Sequence, residues 1–194
     1  MAHLLTIGHS NHEIGVFLHL LKNHRADTVV DTRSSPRSRF ASQYDIEALR
    51  NSLEQRGIRY LYMGGDLGGR PQGERFYDRD GHVLYSLVAE SPFFQHGLEL
   101  LEREISNHRL ALLCSEENPS VCHRRLLIAR VLTERGFSVA HIRGDGTLQT
   151  EEQLLAQEVD NAPQMALFEY SRTPEWKSIP SVLPKRQRNS SLVS

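Results

Sequence analysis

The chain has 194 residues, of which 39% are hydrophobic and 24% charged, and its formal net charge at pH 7 is -1. A net charge this close to zero excludes a global field that attracts nucleic acid or membrane, so any such contact needs a local patch. Two cysteines are too few for a secreted disulfide scaffold, and no apolar run approaches the roughly 20 residues of a membrane span. We therefore expect a cytoplasmic protein that does not contact membranes.

The first part of the chain alternates between strand and helix patterns. A strand is predicted at residues 3–7, and Ser10 and Glu13 then have the spacing of a capping box at the start of a helix. A second strand follows at residues 28–31. A second helix, begun by an aspartate and closed by a glycine, is predicted over residues 45–57.

The second part continues the alternation after a strand at residues 59–63. A long glycine-rich loop is predicted at residues 64–81, and loops of that length are usually functional or mobile. The remaining predicted elements are helices at 83–89 and 92–107, a strand at 110–114, a helix at about 120–135 and a strand at 139–142.

This alternation predicts an α/β fold, a three-layer sandwich in which helices cover both faces of a mostly parallel central sheet. Residues 1–158 are expected to form the domain, and residues 159–194 an extended, flexible C-terminal tail. Right-handed crossovers place the loops that follow the strands at one edge of such a sheet, where a ligand pocket is expected.

The first candidate cluster follows the first strand. Gly8 permits a sharp turn, and His9 and Ser10 then lie beside a predicted helix N-terminus, which favours anions and a neutral imidazole. His9 is a candidate catalytic base and Ser10 a candidate anion ligand. The alternative is that His9 is a histidine in a turn whose ring nitrogens hydrogen-bond with the backbone.

The second cluster follows the second strand and is rich in donors. Arg33 and Ser38 are candidate anion ligands, because a guanidinium matches phosphate geometry and hydroxyls add donors. Asp31, at the strand end, is a candidate to orient Arg33 or His9. The alternative is a solvated polar loop.

The glycine-rich loop supplies a third cluster. Gly68 and Gly69 permit close backbone approach to a ligand, or a hinge for a lid. The alternative is a flexible surface loop.

The fourth cluster follows the most apolar strand. Cys114 is a candidate nucleophile because nearby helix amides and arginines would lower the pKa of its thiol. Glu116 is a candidate acid or base, and Arg124 a candidate anion ligand. The alternative is that Cys114 is simply a small buried residue.

Metal binding is a further option for the same residues. The candidate ligands are Cys114, Cys122, His123 and His9, but their spacing matches no standard zinc pattern. We therefore predict a site without metal, and the sequence identifies no cofactor.

Four motifs stand in order along residues 3–145: Thr6-Ile7-Gly8-His9-Ser10; Asp31-Thr32-Arg33 with Pro36 and Ser38; Leu67-Gly68-Gly69; and Cys114-x-Glu116 with Pro119 and Cys122-His123-Arg124. With these motifs the chain resembles the bacterial and archaeal family called domain of unknown function 488. The resemblance implies a Rossmann-like α/β domain whose loops form one site, and it implies no activity. The threonine of Asp31-Thr32-Arg33 replaces the valine that the family pattern leads us to expect.

A weaker likeness is to rhodanese-type sulfurtransferases. The shared order is a strand ending in aspartate-x-arginine, then a strand ending in cysteine, a loop, a helix and a last strand. The likeness implies sulfur transfer through Cys114. However, the loop after Cys114 is longer than in that family, contains Pro119 and has no glycine.

The tail carries a separate signal. Gln164, Leu167 and Phe168 resemble the Gln-x-x-Leu-Phe peptide by which bacterial replication and repair proteins dock on the sliding clamp. The alternative is that Leu167 and Phe168 pack back onto the domain.

Three hypotheses follow for function. The first is an enzyme acting on a phosphate-bearing substrate, such as a nucleotide or nucleic acid, in DNA maintenance. The second is a rhodanese-like thiol enzyme that uses Cys114. The third is a non-enzymatic DNA-repair accessory protein tethered to the clamp.

Overall fold

The computed structural model describes residues 3–37, 40–160 and 176–182. The elements in these ranges are β1 (Leu4–Gly8), α1 (Ile14–Asn23), β2 (Thr28–Asp31), α2 (Ile46–Glu54), β3 (Arg59–Tyr62), α3 (Gly64–Leu67), α4 (Tyr85–Ala89), α5 (Pro92–Ile105), β4 (Leu110–Cys114), α6 (Arg130–Glu134), β5 (Val139–Ile142), β6 (Leu148–Thr150) and α7 (Glu151–Asp160). None of the helices in the described ranges is long and apolar enough to cross a bilayer.

Six strands form one sheet in the order β3-β2-β4-β1-β5-β6. β1 to β5 run parallel, and only β6 is antiparallel to its neighbour. The predicted α/β class with a mostly parallel sheet is thus confirmed. Because β4 lies between β2 and β1, the loops after these three strands meet at one edge of the sheet.

The core lies on both faces of the sheet, since successive strand residues point to opposite sides. On β4, Leu112 packs on the face that α5 covers, whereas Leu113 packs on the face covered by α1 and α2. Both side chains are fully buried. Every residue of β1, β2 and β4 is buried as well, which explains why these strands read as continuous apolar runs.

The predicted capping box before α1 is wrong. Glu13 immediately precedes the helix and forms no capping hydrogen bond through its side chain, and Ser10 has a positive φ of 46°. The Ser10 amide instead donates to the Ser115 carbonyl at 2.9 Å, which extends the pairing of β1 with β4. The chain therefore turns before the helix begins.

Two other predictions are corrected in part. The predicted loop at 64–81 contains α3 and a 3₁₀ turn at Glu74–Phe76. The predicted helix at 120–135 is divided into a 3₁₀ turn at Pro119–Val121, a π-helical segment at Arg124–Ala129 and α6. One turn of apolar periodicity does not distinguish these helix types.

Beyond β5, the structure adds an antiparallel strand and a helix, β6 and α7, that the sequence pattern did not reveal. The described segment 176–182 of the predicted tail packs on the domain. Trp176 Nε1 donates to the Leu126 carbonyl at 2.6 Å, and the Ser178 amide donates to the Val83 carbonyl at 2.8 Å. The segment 176–182, which is distant in sequence, therefore forms part of the surface near the edge of the sheet where the strand-ending loops meet.

The position of β4 at the centre of the sheet leads to a stability prediction. We expect Leu112→Ala to lower the free energy of unfolding by roughly 2–5 kcal/mol, because the side chain is fully buried and leaves a cavity. Leu155→Ala, on the exposed side of α7, should change it by about 0.5 kcal/mol at most. Chemical denaturation measures both, and equal losses would contradict the assignment of the core.

Candidate functional site

A buried ion pair stands at the end of β2. Arg33 donates to both carboxylate oxygens of Asp31, from Nε at 2.9 Å and from Nη2 at 2.6 Å. The Tyr60 hydroxyl also donates to Asp31, at 2.8 Å, and Arg33 Nη2 donates to the Tyr44 carbonyl. Asp31 is fully buried and Arg33 nearly so. The role that the geometry gives to Asp31 is therefore to position Arg33.

His9 contacts the same guanidinium from the other side. Its Nδ1 lies 2.7 Å from the Ser10 carbonyl and its Nε2 lies 3.3 Å from Arg33 Nη1. Since a carbonyl only accepts, Nδ1 carries the proton and Nε2 accepts from Arg33. Burial lowers the pKa of His9 to about 4, and the Arg33 charge acts in the same direction. The ring, stacked on Tyr44, is thus neutral at pH 7.

A pocket of about 490 Å³ opens beside Arg33 at the carboxyl ends of β2 and β4. Its inner part is formed by the side chains of Cys114, Glu116, Cys122 and His123, and its outer part by Ser34, Ser35, Arg37, Gly69 and Arg70. Ser178 and Val182, from the distal segment, also line it. His9 and Ser10 do not line the pocket, so His9 reaches it only through Arg33.

Three buried side chains converge in the inner part of the pocket. The His123 Nδ1 atom lies 3.6 Å from Cys114 Sγ and 3.9 Å from Cys122 Sγ. The other ring nitrogen, Nε2, donates to the Thr32 carbonyl at 3.1 Å, so that Nδ1 faces the sulfurs. In the neutral ring Nδ1 presents its lone pair to them, and in the protonated ring it donates to the Cys122 thiolate. The ring is thereby fixed in one orientation.

Glu116 adds a carboxylate to this group. Its Oε2 lies 2.7 Å from Cys114 Sγ and 3.2 Å from Cys122 Sγ. Glu116 is an exposed residue, whereas the two cysteines are buried. The carboxylate therefore lies between the sulfurs and solvent.

The two thiols differ in acidity. Burial, together with the neighbouring Cys122 and Glu116, raises the pKa of the Cys114 thiol. Burial opposes ionisation of Cys122 as well, but the hydrogen bond from Cys114 and the charges of Arg124 and His123 hold its pKa well below the usual range. The pKa of His123 is raised despite burial, mainly by its hydrogen bond to Cys122. A thiolate is therefore most stable on Cys122 rather than on Cys114.

Arg124, the predicted anion ligand, lies beneath the loop after β4 and does not line the pocket. Its side chain is fully buried and donates to the Thr6 hydroxyl at 3.2 Å. It also donates to the Glu116 carbonyl and, at 2.6 Å, to the Glu117 carbonyl. Arg124 thus fixes the loop that carries Glu116, and the π-helical segment that starts with it is of a kind frequent at functional sites.

The two predicted glycines pack against the site. A Cβ atom on Gly69 would lie 2.7 Å from two atoms of the His123 ring, and one on Gly68 would lie 2.4 Å from Ser34 Oγ. Gly69 therefore permits the ring to approach the loop, and the Arg70 amide donates to Ser34 Oγ at 2.9 Å nearby. The lack of a side chain at these two glycines therefore allows the loops to pack closely.

Ser38, Gln164, Leu167 and Phe168 lie outside the described residues. From the sequence we selected neither Arg37, one of three arginines that follow the second strand, nor Arg70 as an anion ligand, and we gave no role to the segment 176–182. Cys122 and His123 were candidates only as metal ligands. Their position directly before a buried helix was the available signal, whereas nothing in the sequence connects the distal segment with the pocket.

A family model described as domain of unknown function DUF488 matches residues 13–131. No curated protein and no solved structure matches the chain. The matched range includes the Asp31–Arg33 pair and all four side chains of the inner pocket.

The burial of a neutral His9 predicts a pH dependence. Between pH 6.5 and about 4 the unfolded chain binds a proton at His9 that the folded chain does not, so the free energy of unfolding falls as the pH falls. The loss due to His9 is roughly 3 kcal/mol and is complete below the folded pKa. We expect His9→Gln to flatten this part of the profile, measured by denaturation at several pH values. An unchanged slope would contradict the assignment, and His19→Gln, at an exposed histidine, is the control.

Proposed function

Given that the chain belongs to the family described as domain of unknown function DUF488, we propose that its pocket is that of an enzyme acting on a phosphate-bearing substrate. The substrate class is a nucleotide or nucleic acid. One observation carries the proposal. Two arginines that have no carboxylate partner among the described residues stand at the pocket entrance, and polar, titratable groups lie inside the pocket.

Arg37 and Arg70 are the two entrance arginines. Both are exposed, and neither guanidinium pairs with a carboxylate within residues 3–37, 40–160 and 176–182. The hydroxyls of Ser34 and Ser35 line the same wall. Guanidinium forks and hydroxyl donors together match the oxygens of a phosphate group. A pocket of about 490 Å³ is also within the range of small-molecule sites.

The inner groups supply the chemistry. Glu116 is exposed to the pocket and is placed to accept or donate a proton next to a bound substrate. A larger cavity of about 800 Å³, lined by Glu117 and Arg143, offers less. Its arginine is already paired with the carboxylate at 2.8 Å, so the cation is not available to a phosphate.

Sulfur transfer through Cys114 receives less support. The polar groups near Cys114 Sγ are Glu116 Oε2, His123 Nδ1 and the Cys122 thiol, and no backbone amide of the described residues donates to it. A persulfide would place a second anionic sulfur beside the Glu116 carboxylate, which is unfavourable. Clamp docking stays a prediction from Gln164, Leu167 and Phe168, and it is compatible with an enzyme.

Binding of phosphate-bearing ligands tests the proposal. Calorimetric titration with nucleoside mono-, di- and triphosphates and short single-stranded DNA should identify a ligand. Arg37→Gln and Arg70→Gln should each weaken its binding by on the order of tenfold, because each removes a charged donor. The loss should diminish at high salt.

Arg56→Gln is the matched control. Arg56 is exposed and follows α2, at the opposite edge of the sheet from the pocket, and the substitution removes the same charge. Absence of binding by every ligand in the panel would contradict the proposal. Equal weakening by Arg56→Gln would assign the binding to net charge instead of the pocket.

A further inference from the structure

We propose that Cys114, Cys122 and His123 bind one divalent metal ion of the zinc type, with Glu116 as the fourth ligand. Sequence spacing favoured a site without metal, because the intervals match no standard zinc pattern. The folded chain nevertheless brings two sulfurs and one imidazole nitrogen within 4.8 Å of one another. His9, the fourth candidate in the sequence, is directed to Arg33 instead.

The distances between the donor atoms fit tetrahedral coordination. Zinc bonds of about 2.3 Å to sulfur and 2.0–2.1 Å to nitrogen place these two atoms about 3.5 Å apart around a tetrahedral ion. His123 Nδ1 lies 3.6 Å from Cys114 Sγ and 3.9 Å from Cys122 Sγ. The Glu116 oxygen lies 2.7 and 3.2 Å from the two sulfurs, so it needs to withdraw by less than about 1 Å to complete the tetrahedron.

The donor set also indicates which ions fit. Two thiolates and an imidazole are the ligands that zinc prefers, whereas Mg²⁺ and Ca²⁺ prefer oxygen. All three side chains are more than nine-tenths buried, at the inner end of the pocket. Two buried sulfurs that ionise next to a carboxylate are stabilised when a cation lies between them.

Neighbouring groups hold the ligands as a metal site requires. The Nε2–H group of His123 donates to the Thr32 carbonyl, which is the usual outer partner of a ligating histidine. Gly69 packs against the same ring, which a side chain at that position would displace. Arg124 fixes the backbone of Glu116 and contributes a positive charge beside three anionic ligands.

A dithiol pair that cycles through a disulfide is the rival for the two cysteines. Such a pair needs only the two sulfurs. A neighbouring base such as His123 can serve it by forming the thiolate, but it gives no reason for the Glu116 carboxylate to lie against both sulfurs. The convergence of four donors therefore favours a metal.

The metal site adds to the proposed function. Only the part that the ion plays in the reaction rests on that proposed function. Glu116 is the single exposed member of the set, so it is the ligand that can give way to water or substrate from the pocket. Catalytic zinc sites have such an exchangeable position next to three protein ligands. Metal binding itself is independent of what the pocket accepts.

The test measures metal on the full chain, purified without chelator and without a metal-binding tag. We expect about one zinc ion per chain by mass spectrometry of the elements. After removal of zinc, Co²⁺ should give the visible bands of a tetrahedral site and a sulfur-to-cobalt charge-transfer band. Cys114→Ser and Cys122→Ser should each weaken that band and lower the affinity by more than the roughly 10- to 100-fold typical of outer-shell changes.

The cysteines are buried, so a cysteine variant that fails to fold would also lose the band. Glu116→Gln changes an exposed residue and therefore provides a second test on a folded protein. It should retain the sulfur-to-cobalt band and shift the visible bands. His19→Ala, at an exposed histidine outside the site, should leave both unchanged. Absence of the sulfur band in the wild type, or a disulfide between the cysteines as isolated, would overturn the proposal. If the protein binds metal but none of the phosphate-bearing ligands, only the proposed function is contradicted. If it binds such a ligand through Arg70 but binds no metal, only the metal site is contradicted.

Discussion

The site depends on one fully buried guanidinium. Arg124 donates to the Thr6 hydroxyl of β1 and to two carbonyls of the loop that follows β4. A buried charge is costly unless its donors are bonded, so the loop is constrained to fold around it. This constraint places Glu116 over the Cys114 sulfur, and it holds the turn with Cys122 and His123 against the same strand end. Four chemical groups from two separate stretches of chain thus come to share one pocket.

The same guanidinium connects the pocket with the end of the domain. Because Thr6 accepts from Arg124, its hydroxyl proton is free to donate to His141 Nδ1 at 2.8 Å. His141 Nε2 then donates to Glu151 in α7 at 2.6 Å, and Arg125 donates to the same carboxylate. Burial lowers the pKa of His141 although the Glu151 carboxylate opposes this effect. A continuous polar network therefore anchors α7 to the sheet beneath the site.

The sequence predicts most of the fold because each buried strand is an apolar run, and it predicts Cys114 and Glu116 because they end such a run. The side chain of Arg124 could not be placed, since an arginine in an anion site and one beneath a loop have the same sequence context. The contact of His123 with Cys114 depends on how a helical turn packs against β4, which periodicity does not encode. β6 was missed because only Gln149 of its three residues is buried, and the segment 176–182 carries no pattern that identifies its neighbour.

A crystal structure with anomalous diffraction data collected at the zinc absorption edge tests the central claim most directly. We expect one anomalous peak at bonding distance, about 2.3 Å, from the sulfurs of Cys114 and Cys122 and adjacent to His123 Nδ1. A bond of about 2.05 Å between the two sulfurs, or side chains that point away from a common centre, would contradict it.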